Sequence, residues 1–163
     1  MLIFKDLDYE KWNQFSGIIL NSENIYPEQI RTPGEEYLNI FAEGGCIAKI
    51  AMSGADYIGN AIGYVLKKDE LSFHSIDFDV EEGSAVYLFN FVVNPEHQGK
   101  GYGKNLLSDF LETAKQRGYK RVFGHFRKNG SLYLAKKFGA VELKSEFNWC
   151  DTGEEYILCE IKL

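Results

Sequence analysis

The 163-residue chain is poor in the residues that bind metals or cross-link chains: three cysteines and three histidines. Cys46, Cys150 and Cys159 are odd in number and widely spaced, with no C-x-x-C pair, and His74, His97 and His125 add no ligand spacing. Neither a metal site nor a disulfide framework is expected, and free thiols in a reducing, cytoplasmic compartment are the simplest reading. No apolar run approaches the roughly 18 residues of a membrane span. The start, Met1 to Asp6, lacks a basic stretch followed by an apolar one, so no signal peptide is expected either. Positive charge is in deficit: 18 Lys and Arg against 24 Asp and Glu leave a net charge of −6. That balance argues against nucleic acid as a partner, which calls for a broad positive field. Repeats, low-complexity tracts and linker-like runs are absent too, so a single domain over residues 1–163 is expected.

Apolar residues are plentiful, 45% of the chain with 15% aromatic, enough for a sizeable core. Leu2 to Phe4 reads as a short strand. Asp8 to Asn21 reads as a helix with Trp12, Phe15 and Ile19 on one face and Asp8 able to cap it. After a loop from Tyr26 to Gly34, Glu35 to Glu43 is a second helix, ended by Gly44 and Gly45. Cys46–Met52 and Ile58–Leu66 read as strands, the second bulged at Gly59 and Gly63. Leu71–Val80, with Phe73, Ile76 and Phe78 in alternation, reads as a further strand. Val86–Val93 is apolar on both faces except for Asn90, which suits the middle of a covered sheet.

A loop from Asn94 to Gly101 precedes a helix to Arg117, whose Leu106, Leu107, Phe110, Leu111 and Ala114 form one stripe. Val122–Phe126 is a strand and Ser131–Phe138 a short helix. Val141–Trp149 and Tyr156–Ile161 form a hairpin across Asp151–Gly153. The whole predicts a mixed α/β sheet with helices on its faces.

The most informative stretch is Val93-Asn94-Pro95-Glu96-His97-Gln98-Gly99-Lys100-Gly101-Tyr102-Gly103-Lys104. A buried strand stops at Pro95 and a glycine-rich loop opens a helix. Alternating glycines leave no side chains between the backbone N–H groups and a ligand. The helix mouth adds unpaired donors and a partial positive charge, so a diphosphate suits this place, with Lys100 and Lys104 as added charge. A P-loop is excluded, because Lys104 is followed by Asn105 and the glycine spacing is short; the dinucleotide fingerprint G-x-G-x-x-G does not match either.

Gln98-Gly99-Lys100-Gly101-Tyr102-Gly103 resembles the coenzyme A diphosphate loop of the GNAT superfamily, the GCN5-related N-acetyltransferases. The flanks agree: an apolar strand ending Val-x-Pro before it, a Leu-Leu-rich helix after it, and the Phe138-Gly139 helix end downstream. The resemblance is good over Val86–Ala140 and covers the rest only through element order. It implies a mostly antiparallel sheet with a central, splayed parallel strand pair and helices on both faces. Acetyl-CoA would be the acyl donor, its pantetheine paired with the main chain of Phe91, Val92 and Val93, with the Phe91 N–H facing the thioester carbonyl. Gln98, Gly99, Lys100, Gly101, Tyr102, Gly103 and Lys104 would hold the diphosphate. Asn129 lies close to a position that often touches the cofactor, although the usual spacing from Gly139 points to Lys128.

Acyl transfer to an amine needs an acid for the leaving thiolate and a base for the ammonium. The position where many members carry an acidic tyrosine is Ala135 here, and Tyr133, two residues earlier and about 200° around the helix, is the nearest candidate. Asn90 replaces the carboxylate that some members carry on the preceding strand; it is either a substrate or water ligand or a buried structural amide. His125, on the next strand, is either a group titrating near neutrality or a structural one. Tyr26 and Arg31, between the first two helices, are placed by topology near the acceptor. The implied activity is acetyl transfer to an amine of a small molecule or protein, by a monomer or homodimer. A non-catalytic acyl-CoA sensor is the alternative that Ala135 and Asn90 leave open, and an unrelated nucleotide-binding protein is a third.

Overall fold

Alternate residues of one central strand enter opposite cores, and that alternation sets the layering. The computed structural model describes residues 1–163. In it the chain runs β1 (Leu2–Asp6), α1 (Trp12–Ser22), α2 (Gly34–Glu43), β2 (Ile47–Ser53), β3 (Asp56–Val65), β4 (Ala85–Val93), α3 (Tyr102–Gln116), β5 (Arg121–Arg127), α4 (Gly130–Lys137), β6 (Val141–Glu146) and β7 (Tyr156–Lys162). Ile47 and Ala51 of β2 pack with Leu106, Leu107 and Phe110 of α3. Ala48, Ile50 and Met52 pack with Trp12, Phe15 and Ile19 of α1 and with Tyr37 and Phe41 of α2. Period-two side chains between two period-3.6 stripes thus produce a sheet with helices on both faces.

The seven strands lie in the order β1-β2-β3-β4-β5-β7-β6, and β4–β5 is the one parallel pair. Its pairing covers Ala85↔Arg121, Val86↔Val122 and Tyr87↔Phe123 and then stops, so β4 and β5 diverge beyond Tyr87. This is the expected mixed, mostly antiparallel sheet with a splayed parallel pair. Next to the splay, the β3–β4 register shifts at Ile62/Gly63. A Cβ on Gly63 would lie 2.7 Å from Val86, 2.8 Å from Phe110 and 2.9 Å from the Tyr87 carbonyl, so only glycine fits there.

Three readings of the sequence are corrected. Leu71–Val80 is not a strand: a 3-10 turn at Lys68–Glu70 runs into turns and a left-handed Ser75. Its alternation arises because Ile76 and Val80 dip into a third core cluster with Tyr87, Phe123 and Leu158, while Phe73 stays 72% exposed. Helix α1 starts at Trp12, four residues after Asp8; the Asp8 carboxylate instead accepts the Lys11 N–H at 2.9 Å in the preceding turn. Strand β6 stops at Glu146, because Asn148, Cys150, Asp151 and Gly153 all have positive φ and coil the connection to β7. No helix is long and apolar enough to cross a membrane.

Candidate functional site

The glycine loop delivers what its composition implies. Gly99 and Gly101 sit at φ of 76° and 83°, a region that L side chains rarely adopt, and a Cβ on either would project into open space. The amide N–H groups of Gly99, Lys100, Gly101, Tyr102, Gly103 and Lys104 have no acceptor within the chain. Four of these free donors, on Gly99, Gly101, Tyr102 and Gly103, belong to residues that line the cleft where α3 begins, a cradle that fits the diphosphate of coenzyme A. Gln98 is structural, its side-chain amide donating to the Val93 carbonyl at 3.0 Å and tying the loop to the end of β4. The two lysines are not part of the cradle wall: Lys100 turns back to the Glu96 carbonyl at 3.4 Å, and neither lysine lines the cleft.

From this cradle a cleft of about 660 Å³ runs into the splay between β4 and β5. Phe91, Val92 and Val93 line one side, and Asn129 borders the near end. Asn129 caps α4, its oxygen accepting from the Ser131 N–H at 2.9 Å and hydroxyl at 2.8 Å. Tyr26 crosses the splay: its hydroxyl donates to the Phe91 carbonyl and accepts from the Phe91 N–H, both at 3.0 Å. The donor and acceptor expected to meet a pantetheine chain are thus held by one phenol in the free protein. Tyr26 and Arg31 both line the cleft, as their topology suggested.

At the vertex of the splay lies a chain of polar side chains. His125 is 1% exposed in its side chain and stacks on Trp149 at 4.2 Å. Its Nε2 meets Glu146 at 2.6 Å and its Nδ1 meets the Tyr87 hydroxyl at 2.6 Å. A carboxylate at Nε2 requires the proton there, so Nδ1 is the acceptor and the Tyr87 O–H donates to it. Ser75 also donates to Glu146 and fixes the carboxylate. Beside this chain, His74 stacks on Tyr87 at 3.7 Å, bonds to the Tyr64 hydroxyl at 2.6 Å through Nε2 and leaves Nδ1 buried without a partner.

Burial pushes His125 down to about 4 against the pull of Glu146, and burial, aided by His125, pushes His74 down to about 3. Burial also drives the Tyr87 phenol well above its ordinary value, so it remains a donor. The consequence for stability is directional. In the unfolded chain both imidazoles take up protons near their ordinary value of 6.5, so from there down to about 4 the unfolded state binds more protons and acid favours it. Glu23, raised by burial, works in the opposite sense but is one group against two. Thermal unfolding followed from about pH 7.5 to about pH 5 is expected to show a steadily falling midpoint; a flat or rising midpoint would remove the claim that these imidazoles are held neutral.

Two sequence candidates lie elsewhere. Asn90 is fully buried and does not line the cleft. Its carbonyl accepts from Asn60 at 2.9 Å, and its amide donates to the Tyr37 hydroxyl at 2.7 Å and to Glu23 at 3.1 Å. It is a structural tie between β3, β4, α2 and the turn after α1. Tyr133 is 65% exposed, outside the cleft, with the Lys137 ammonium 4.5 Å above its ring. The helical rotation that separates it from Ala135, which is fully buried, turns it to solvent. Tyr133→Phe is accordingly expected to leave acetyl transfer within about twofold of the parent, as an exposed surface change does; a tenfold loss of turnover would restore its candidacy as the acid.

Of the four side chains that meet at the vertex, the sequence pointed to His125 alone. Tyr87 and Glu146 stand 38 and 21 residues from it, and His74 lies in the segment misread as a strand. No short-range spacing joins them.

Comparison with known proteins identifies the family and the fold. The profile of the acetyltransferase (GNAT) family matches residues 10–140. The fold is similar to that of the ribosomal-protein-S18-alanine N-acetyltransferase from Escherichia coli, with TM-score 0.72 and 16% identity over 99% of this chain and 94% of that one. It is also similar to Arabidopsis thaliana NAA60 in complex with acetyl-CoA, with TM-score 0.76 and 17% identity over 100% and 99%. Drosophila melanogaster polyamine N acetyltransferase gives TM-score 0.78 and 12% identity over the full length of both chains. A search of curated protein sequences returns no match.

Proposed function

Because this chain belongs to the acetyltransferase (GNAT) family, we propose that it is an N-acetyltransferase that moves an acetyl group from acetyl-CoA to a primary amine. The observation that carries this reading is the joining of two chemistries in one cleft: the unpaired amides of Gly99, Gly101, Tyr102 and Gly103 at the mouth of α3 and, at the vertex of the splay, Tyr87 and His125 with Glu146 behind them. Acetyl-CoA supplies an activated acyl carbon and a thiol leaving group.

The protein's residues divide the remaining work. The free amides of Gly99 to Lys104 receive the diphosphate and so fix the position of the acyl end. The Phe91 N–H, released by Tyr26, faces the carbonyl oxygen and stabilises the charge that develops there, a role worth about 3–4 kcal/mol per donor. Tyr87 accepts a proton from the ammonium as its own passes to Nδ1 of His125, and Glu146 stabilises the imidazolium at Nε2. The amine nitrogen then bonds to the acetyl carbon as the carbon–sulfur bond breaks. Of the two protons the ammonium sheds, one is returned to the sulfur through Tyr87 and the other leaves to water.

A sensor that only binds acyl-CoA has no use for a buried imidazole held between a carboxylate and a phenol in the splay, which favours the catalytic reading. Thiol release from acetyl-CoA across a panel of amines is the test. Acceleration over buffer with at least one amine is expected; tight binding of acetyl-CoA with no acceleration for any amine would select the sensor.

A further inference from the structure

The acceptor end of the cleft is aromatic and roofed. On the β3–β4 side, Tyr64 lies 5.7 Å from Tyr87 and 5.5 Å from Phe89. On the other side, Trp149 lies 4.2 Å from His125 and 4.8 Å from Tyr156. The two walls meet at the vertex, where Tyr87 and His125 are 5.9 Å apart. At the rim, Phe73 is 72% exposed, a large apolar ring left in water beside the cleft it lines. Charge points the same way. Glu36 is the one carboxylate lining the cleft, and of the two arginines that line it Arg127 is already paired with Glu154 at 2.9 Å, so a second ammonium on the acceptor would find a single lining counter-ion with Arg31 opposing it.

The end is also closed to a chain running through it. The turn at Glu28–Ile30 packs against Trp149–Asp151, and Arg127 donates to the Ile25 carbonyl at 3.1 Å, so the loops before α2 and after β6 touch over the cleft. Ser75, on the segment after β3, is hydrogen-bonded to Glu146 of β6 and adds a strap on a further side.

We propose that the acceptor is a small primary monoamine carried on a flat aromatic body, an arylalkylamine, and that Trp149 and Phe73 set this specificity. This rests on the acetyl-transfer reading and names its substrate class. Stacking holds the ring between the walls, and the faces of Tyr64 and Trp149 accept the incoming cation. The low polarity of the chamber then favours loss of the ammonium proton to Tyr87.

The test uses the full chain with acetyl-CoA, following thiol release with 2-phenylethylamine, tryptamine, spermidine and a peptide carrying a free N-terminus and a lysine, with acetyl-CoA affinity measured alongside by calorimetry. Higher kcat/KM for the two arylalkylamines, by about tenfold or more, is expected. Trp149→Ala should raise their KM by roughly tenfold, and Phe73→Ala, at an exposed ring whose loss does not threaten folding, by a few-fold. Acetyl-CoA affinity should be unchanged in both. Preference for spermidine or the peptide, or an arylalkylamine KM indifferent to both substitutions, overturns the substrate class while the acetyltransferase stands. Bound acetyl-CoA with no amine acetylated overturns both.

Discussion

Gly101→Glu is expected to abolish acetyl-CoA binding, with a loss in affinity of at least about a hundredfold, while the chain stays folded. Three terms add. The new carboxylate sits at the N-terminus of α3 among the six free amides and competes for them. It also faces the paired phosphates, and like charges about 4 Å apart at an effective dielectric near 20 repel by roughly 4 kcal/mol. Finally, position 101 has φ of 83°, where a non-glycine residue costs about 1–2 kcal/mol. The second term acts on binding alone, and the first also stabilises the free fold slightly, because a carboxylate suits a helix N-terminus. The third acts on stability but is small, because a Cβ there meets no atom within 4 Å. Calorimetric titration with acetyl-CoA, together with a thermal melt of the free variant, separates them. Affinity within threefold of the parent would show that the diphosphate sits elsewhere. Gly101→Ala is the control, carrying the backbone strain without the charge.

His125→Gln is expected to lower kcat by about 10²–10³-fold with acetyl-CoA affinity unchanged, the usual scale for losing a general base. Glutamine can still donate to Glu146 and accept from Tyr87, so the wall of the cleft survives while the proton acceptor is lost. Tyr87→Phe should lose a comparable factor by removing the end of the relay that faces the amine. The decisive measurement is the double variant. Residues that act as one unit do not lose rate additively, so the pair should be hardly slower than either single change. Multiplicative losses, or a kcat within threefold of the parent for His125→Gln, would make the imidazole a packing element only. Because His125 is held down to about 4, it remains a free acceptor at pH values where an ordinary imidazole would already be charged.

How much of this was legible beforehand depends on whether the cause was local. The glycine loop and its unpaired amides were legible because a strand stop at Pro95, glycines at 99, 101 and 103 and an amphipathic stripe from Leu106 to Ala114 act within a few residues of one another. Even there, the charges were misjudged: Lys100 and Lys104 are flexible and exposed, and their heads turn to the nearest free carbonyl or to water instead of into the cleft. The Leu71–Val80 segment failed for the opposite reason. Its apolar spacing answers to a core built by Tyr87, Phe123 and Leu158, residues that its own sequence neighbourhood does not contain.

Of the side chains at the vertex of the splay, only His125 was within reach. Asn90 and Tyr133 were nominated because they are polar residues near the expected chemistry along the chain. For Asn90, sequence distance carries no information about which face a bulged strand presents, and the register shift beside Gly63 decides that; for Tyr133, the rotation along α4 turns the ring to solvent. What the chain alone determined was the element types, the layered sheet and the glycine-rich loop that opens α3, since backbone propensity, periodicity and glycine's freedom at positive φ are properties of adjacent residues. What only the tertiary structure decided was the polar chain at the vertex of the splay. Tyr87 and His125 meet because β4 and β5 are parallel neighbours that part after three residue pairs, and Glu146 reaches them because β6 folds back along the outer edge of β7. Strand order and the point of divergence are set by the packing of the whole core, and no window of sequence contains them.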